Sequence, residues 1–228
     1  MAYQRSINER DLKRLEMIPK DAREPSELDD YMFDLQGFLV LKNALSKEEV
    51  KACNECLDSI PPIEPGQWHG YVHRQVHEPK NGINYQQIYE AGEPFQRLID
   101  HPSWIKYVIR YVGGIGTFDW NHGPAFIDEN FANLRGPGEA ISLHSGGHRG
   151  VVRTLYSCRD GEFHCGQINI LVGLTDIGPG DGATMVIPGS HKSNLEHPRF
   201  KTSVYGKDAV DQKWLQKYVS RNYVPSQE

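Results

Sequence analysis

The chain has 228 residues, 38% hydrophobic and 24% charged, a composition typical of a folded domain and not of a disordered segment. Its formal net charge is −5 with Lys and Arg scattered along the chain, which argues against a nucleic-acid partner or an anionic membrane surface. No apolar run approaches the roughly 20 residues of a membrane span, and residues 1–17 lack the apolar segment of a signal peptide. The four cysteines therefore predict free thiols in a reducing compartment, the cytoplasm.

The first part of the chain, residues 1–112, is predicted to be mainly helical. Ser46, followed three residues later by Glu49, is a capping box that marks a helix start. Cys53 and Cys56 lie in that helix without a second Cys or His pair, so packing is favoured over metal or redox chemistry. The predicted elements are a helix-prone stretch 5–36 broken at Pro19 and Pro25, a short β-run Gly37–Leu41, a helix Lys47–Asp58, a loop over 61–92, and short helices over 93–99 and 103–112, the last with Ser103 as its N-cap.

The pattern of residues 113–192 predicts short strands separated by turns. Residues 193–228 are predicted to form a polar tail with one helical stretch near 208–218. The predicted strands are Thr117–Trp120, Ala125–Ile127, Ala140–Leu143, Val151–Ser157, Phe163–Leu174 and Thr184–Ile187. This order predicts a mainly β fold with helical additions, namely helices packed on one face of a jelly roll. No linker divides the chain, so a single domain over 1–228 is expected.

The most informative stretch runs from His144 to Lys192. It contains Leu174-Thr-Asp176, a Gly-Asp-Gly turn at 180–182 that requires a residue with positive φ, and Pro188-Gly-Ser-His-Lys192. This pattern resembles the phytanoyl-CoA dioxygenase family. Gly37-Phe-Leu-Val-Leu41 followed by Ser46-Lys-Glu-Glu49 also resembles the opening of that family, and the resemblance spans about residues 30–200.

The resemblance implies a double-stranded β-helix that holds Fe(II) with a His-x-Asp/Glu pair and a distal His. It also implies that 2-oxoglutarate is bound through an Arg beyond the distal His. The reaction is usually hydroxylation of a substrate C–H bond. His144 falls at the first metal position, whereas His191 belongs to a motif that does not ligate the metal and is expected to hydrogen-bond the neighbouring loop.

The chain departs from the family pattern in two places. Gly146 stands where the family has its Asp, a change also seen in related iron halogenases, where chloride takes the vacated position. His148 is a candidate substitute ligand because Gly146 and Gly147 make the backbone adaptable. After residue 192 no His-Gly pair and no matching Arg follow, so the roll and its metal site are predicted to be incomplete at the C-terminus.

Three explanations of the incomplete site stay open. The chain is a truncated family member, or it recruits other histidines such as His148, His164 or His122, or it is a non-catalytic binding protein. A separate alternative is that His69, His73 and His77, spaced every fourth residue, form a stripe that binds zinc or iron. The competing interpretation is a polar loop that binds no metal.

Two further groups of residues are candidate ligand contacts. Gln86, Gln87 and Tyr89 fall where the family resemblance implies substrate or 2-oxoglutarate contacts, although no motif aligns there. Strand alternation places His164 on one face and Gln167 and Asn169 on the other, where the amides would line a pocket if they point inward. The leading hypothesis is an Fe(II)- and 2-oxoglutarate-dependent oxygenase of an unidentified small molecule. The rival is a catalytically inactive jelly-roll binding protein.

Overall fold

The computed structural model describes residues 16, 18–76, 81–112, 125–138, 155–178 and 181–192. These residues fall into two compact units, each built from separated segments of the chain. The first unit includes residues 18–24, 42–76, 81–112, 125–138, 169–178 and 181–183. The second includes residues 25–41, 155–168 and 184–192.

The described chain has two helices followed by three strands, then two more helices followed by three more strands. The helices are α1 (Glu27–Gln36), α2 (Lys47–Asp58), α3 (Glu93–Gln96) and α4 (Ile105–Val112). The strands are β1 (Trp68–His69), β2 (Val72–Arg74), β3 (Ile83–Gln86), β4 (Phe131–Leu134), β5 (Tyr156–Arg159) and β6 (Glu162–Cys165). Two 3-10 turns cover Ile88–Ala91 and Ser190–Lys192. Within the described residues, no helix has both the length and the apolar character to cross a membrane.

Helix α2 begins where its capping box predicts. The Ser46 hydroxyl accepts from the Glu49 backbone N–H, and the Glu49 carboxylate accepts from the Ser46 backbone N–H at 2.7 Å. The other oxygen of Glu49 accepts from Nε2 of the buried His101 at 3.1 Å. These contacts, led by the Ser46 N–H bond, lower the pKa of Glu49 to about 2.

The four-stranded sheet of the first unit has the order β1-β2-β3-β4, with every neighbouring pair antiparallel. One face of this sheet meets the core, because Val72 and Tyr85 are buried in one cluster with Cys53 of α2 and Phe95 of α3. The predicted packing role of Cys53 is therefore confirmed, and burial raises the pKa of its thiol. The opposite face carries polar and aromatic side chains, among them Trp68, His73 and Gln86.

The second unit is built on the β5–β6 hairpin. Its turn residues Asp160 and Gly161 both have positive φ, 55° and 84°, as the two-residue turn that matches strand twist requires. Phe163 of β6 stacks on Phe33 of α1 with ring centroids 5.9 Å apart. Helix α1 ends at Gly37, whose φ of 84° lets its N–H bond back to the carbonyl of Phe33.

Several predicted elements differ from the structure. Gly37–Leu41 is not a strand, since Gly37 ends helix α1 and residues 38–41 have no strand structure. Helix α4 begins at Ile105 and not directly after Ser103, whose hydroxyl donates to the Ala44 carbonyl. The predicted loop over 61–92 contains strands β1, β2 and β3. The long strand predicted from Phe163 ends at Cys165.

The predicted strand Thr184–Ile187 is also wrong. Met185 and Val186 are 46% and 44% exposed, and no strand of the described chain pairs with them. Among the described residues the sheets have four and two strands, so they form antiparallel β structure without a closed barrel. The jelly roll and the single domain over 1–228 stay predictions.

Candidate functional site

The two leading metal candidates, His144 and His148, lie outside the described residues, so their role stays a prediction. His122, His77 and His197 lie outside them as well. In the described ranges, no three His, Cys, Asp or Glu side chains come together in a way that would hold a metal ion.

His164 lies on strand β6 opposite Ser157 of β5 and is exposed. Its neighbours Phe163 and Cys165 lie on the opposite face of the strand and are less exposed, as the alternation of side chains along a strand requires. Gln167 and Asn169 come after the end of this strand and are exposed, and the suggestion that they line a pocket stays a prediction.

The stripe of histidines predicted at every fourth residue is broken by a hairpin turn. Gly70, with a φ of 57°, separates β1 from β2, and His73 pairs with Trp68 while His69 pairs with Val72. Directly opposed residues of an antiparallel pair share a face, so the two histidines lie on opposite faces of the sheet. His73 instead packs its ring against Trp68, with centroids 4.6 Å apart.

The Pro188–Lys192 motif is seated on helix α1. The Gly189 N–H bonds the carbonyl of Gln36 at 2.9 Å, and His191 Nε2 donates to the Asp34 carbonyl at 2.9 Å. The His191 bond thus goes to helix α1 and not to the loop that was expected. The imidazole covers Gly37 so closely that a Cβ there would lie 2.2 Å from Nδ1.

The Asp34 carboxylate joins this motif to the hairpin. The Tyr156 hydroxyl donates to Oδ1, and Lys192 Nζ lies 3.2 Å from Oδ2. These contacts, with Tyr156 first, lower the pKa of Asp34, whereas burial and then the carboxylate raise the pKa of Tyr156. Burial lowers the pKa of His191. A cavity of about 550 Å³ beside the cluster is lined by Asp34, Tyr156, Ser157, Cys158 and Lys192.

The contacts between Gly178 and Asp181 and the positive φ of Gly182 agree with the turn that the sequence predicts. The Gly178 N–H bonds Asp181 Oδ2 at 2.7 Å, the Asp181 N–H bonds the Gly178 carbonyl at 3.1 Å, and Gly182 has a φ of 75°. The segment before it is held by Asn54 of α2, whose Nδ2 donates to the Leu174 carbonyl at 2.7 Å.

A second polar cluster surrounds Gln86, on the face of the four-stranded sheet that is turned away from the core. Its amide nitrogen lies within 3.0 Å of oxygens from Gln75, Asn84 and Glu129. A cavity of about 280 Å³ lies next to it and is lined by Gln86, Gln87, Tyr89, Ile99, Ile127, Asp128, Glu129 and Asn130. The sequence singled out Gln86, Gln87 and Tyr89, and all three line this cavity.

Sequence reasoning did not identify Asp34, Tyr156 or Glu129 as parts of a site. Asp34 lies in a helix rich in acidic residues, and Tyr156 lies in an ordinary β-segment. Only their tertiary partners distinguish them. The burial of Asn84 in strand β3 was also not predictable, because the sequence indicates a loop over residues 61–92.

The chain matches the phytanoyl-CoA dioxygenase (PhyH) family over residues 33–226 and belongs to that family. It is also similar to a curated protein named Dioxygenase cdmD from Talaromyces verruculosus, with 28% identity over 192 residues. That alignment covers 75% of this chain and 57% of the relative, so the chain spans little more than half of the relative's length. No solved structure matches the chain.

Proposed function

We propose that this protein is an Fe(II)- and 2-oxoglutarate-dependent oxygenase that hydroxylates an unidentified small molecule, with His144 as a metal ligand. The observation that carries the proposal is the family match over residues 33–226, which includes both the His144 segment and the Pro188–Lys192 motif. The resemblance to a protein named as a dioxygenase supports the same class of chemistry.

The structure supports the proposal at the motif that is most typical of the family. The Pro188–Lys192 turn is fixed by backbone hydrogen bonds from Gly189 and His191 to helix α1, and by the Lys192 contact with Asp34. His191 is engaged in this packing, which supports a structural role for it outside the metal site.

The described residues do not by themselves fit the implied iron site, because no set of three ligands comes together among them. Gly146 also removes the carboxylate that the family places two residues after the first His. We therefore assign no step of the reaction to the iron. His148 and His164 remain the proposed additional ligands.

Metal and cosubstrate binding can be tested without knowing the substrate. The protein is titrated anaerobically with Fe(II) and 2-oxoglutarate while the weak visible charge-transfer band is followed, and succinate is then measured in air. We expect a band and slow succinate formation, both lost in His144→Ala. His69→Ala, which removes an exposed histidine of strand β1, is the matched control and should retain both.

The outcomes separate the oxygenase from its rival. A wild-type protein with no band and no succinate would support a non-catalytic binding protein. A band that survives in His144→Ala would refute the ligand assignment. Adding chloride tests for halogenation. In a halogenase, chloride fills the vacant carboxylate position and changes the charge-transfer band. In a hydroxylase without that vacant position, the band does not change.

A further inference from the structure

The His191 imidazole helps to hold the Pro188–Lys192 turn on helix α1. Its Nε2 donates to the Asp34 carbonyl at 2.9 Å, next to the bond from the Gly189 N–H to the Gln36 carbonyl at 2.9 Å. A carbonyl oxygen can only accept, so this hydrogen bond assigns a proton to Nε2. In the neutral ring Nδ1 therefore carries only a lone pair.

The second ring nitrogen, Nδ1, lies away from water. It is buried, and among the residues that the structure describes none lies within hydrogen-bond distance of it. The ring packs on the backbone of Gly37, where a Cβ would lie 2.2 Å from Nδ1, and it meets the Tyr156 ring edge-on at 4.8 Å. A proton on Nδ1 would therefore be a buried donor without an acceptor, which is unfavourable.

The charges around the imidazole oppose each other. The Asp34 carboxylate and the C-terminal end of helix α1 favour a positive ring, whereas the Lys192 ammonium disfavours it. Lys192 Nζ lies 3.2 Å from Asp34 Oδ2 and the Tyr156 hydroxyl donates to Oδ1, so other groups already satisfy this carboxylate. The Tyr156 phenol stays neutral, because burial raises its pKa. Burial has the largest effect on His191 and lowers the pKa of the imidazole.

We propose that His191 is a pH-sensitive switch: the neutral imidazole holds the Pro188–Lys192 turn on helix α1, and uptake of a proton at Nδ1 releases the turn. The proton comes from water, and only the hydrogen bonds to the Asp34 and Gln36 carbonyls are broken. In the released turn both ring nitrogens reach water and the cation is hydrated. The switch does not depend on the proposed oxygenase function, because His191 is not among the proposed metal ligands.

The direction of the pH effect follows from the difference between the two states of the turn. In the released turn the imidazole has its ordinary pKa of about 6.5. In the held turn the pKa is lower. The held state therefore has its full stability above about pH 6.5 and loses stability as the pH falls through the lower pKa. One proton changes the ratio of held to released turns by at most about 10-fold per pH unit.

Hydrogen exchange of the Gly189 amide in the full chain measures the release of the turn. We expect its protection factor, corrected for the intrinsic exchange rate, to be constant from about pH 8 to 6.5 and to fall at least about 5-fold by pH 5. The Gly66 N–H, which bonds the Arg74 carbonyl at 2.8 Å in the first unit, is the reference and should keep its protection. NMR titration of the His191 ring should give a midpoint below about pH 6.5.

Variants assign the pH effect to one residue. His191→Gln keeps a side-chain N–H donor but has no group that titrates between pH 5 and 8, so the protection of the Gly189 amide should no longer depend on pH in that range. His69→Gln, which removes an exposed histidine of strand β1, is the matched control and should keep the wild-type pH dependence.

The wild-type protein alone can refute the switch. Protection of the Gly189 amide that stays constant or rises as the pH falls to 5 would overturn the proposal. A parallel loss of protection at Gly66 would also overturn it, because acid would then unfold more than the turn. A His191→Gln protein that keeps the wild-type pH dependence would show that another group titrates, and would refute the role of His191.

Discussion

Tyr156→Phe tests whether the Asp34 carboxylate holds the β5–β6 hairpin and the Pro188–Lys192 motif together. The substitution removes only the hydroxyl that donates to Asp34 and keeps the ring, which stacks on Phe163 at 5.8 Å and meets the His191 ring edge-on at 4.8 Å. Any loss of stability therefore reports the hydrogen bond and not the packing.

The expected loss of stability in Tyr156→Phe follows from the charge of the Asp34 carboxylate and from the exposure of its side chain. A hydrogen bond to a charged group contributes roughly 1.5–3 kcal/mol when buried. The Asp34 side chain is 40% exposed, so water and salt screen the interaction and a loss of about 1–1.5 kcal/mol is expected. For a chain of this size that corresponds to a fall of roughly 2–6 °C in Tm.

The pH dependence gives a second, independent readout. The pKa of Asp34 is lowered in the folded state, with Tyr156 as the first cause, so its stabilisation is present above the unfolded-state pKa of about 3.9. It is lost as the pH falls through the lower, folded-state pKa. The stability difference between wild type and Tyr156→Phe should therefore be full at pH 7 and shrink below pH 4. The pKa of Asp34 should rise in the variant.

The assay is urea unfolding at several pH values, with carboxyl NMR for the pKa of Asp34. Tyr31→Phe is the matched control, since Tyr31 is an exposed tyrosine on the same helix α1. Equal unfolding midpoints for wild type and Tyr156→Phe at pH 7, or an unchanged pKa of Asp34, would refute the reasoning.

Three further predictions concern single sites. Gly37→Ala should lose more stability than Gly138→Ala in thermal unfolding, because both have a φ near 83° but only at Gly37 would the new Cβ collide with an imidazole; equal losses would mean that the backbone alone matters. Glu49→Gln should lower the free energy of unfolding by about 1 kcal/mol at pH 7 and by little near pH 2, as measured by urea unfolding at both pH values. The reason is that the stabilisation by the Glu49 carboxylate is lost as the pH falls from about 4.5 through its folded-state pKa of about 2. In thiol titration with an aromatic disulfide, the exposed Cys158 should react first and Cys165, whose pKa burial raises to about 11, only on unfolding; a Cys158→Ser protein that keeps the fast phase would contradict this.

The family and the chemistry it suggests were accessible from the sequence, because they depend on local motifs. The Pro188–Lys192 sequence and the turn before it specify their own backbone through Gly and Pro. The position of that turn on helix α1 was not accessible, since it depends on Asp34, which lies 157 residues from His191. The metal role of His144 stays a prediction.

The sequence by itself determined the elements whose stabilising contacts lie within a few residues. The capping box of Ser46 and Glu49 predicts helix Lys47–Asp58, because both of its hydrogen bonds join residues three apart. Strand β3, in contrast, reads as loop, since its strand pairing on one side is with β4, about 50 residues away. Only the tertiary structure decides such pairings, because a strand has no internal hydrogen bonds and its polar groups are satisfied by whichever neighbour the fold brings to it.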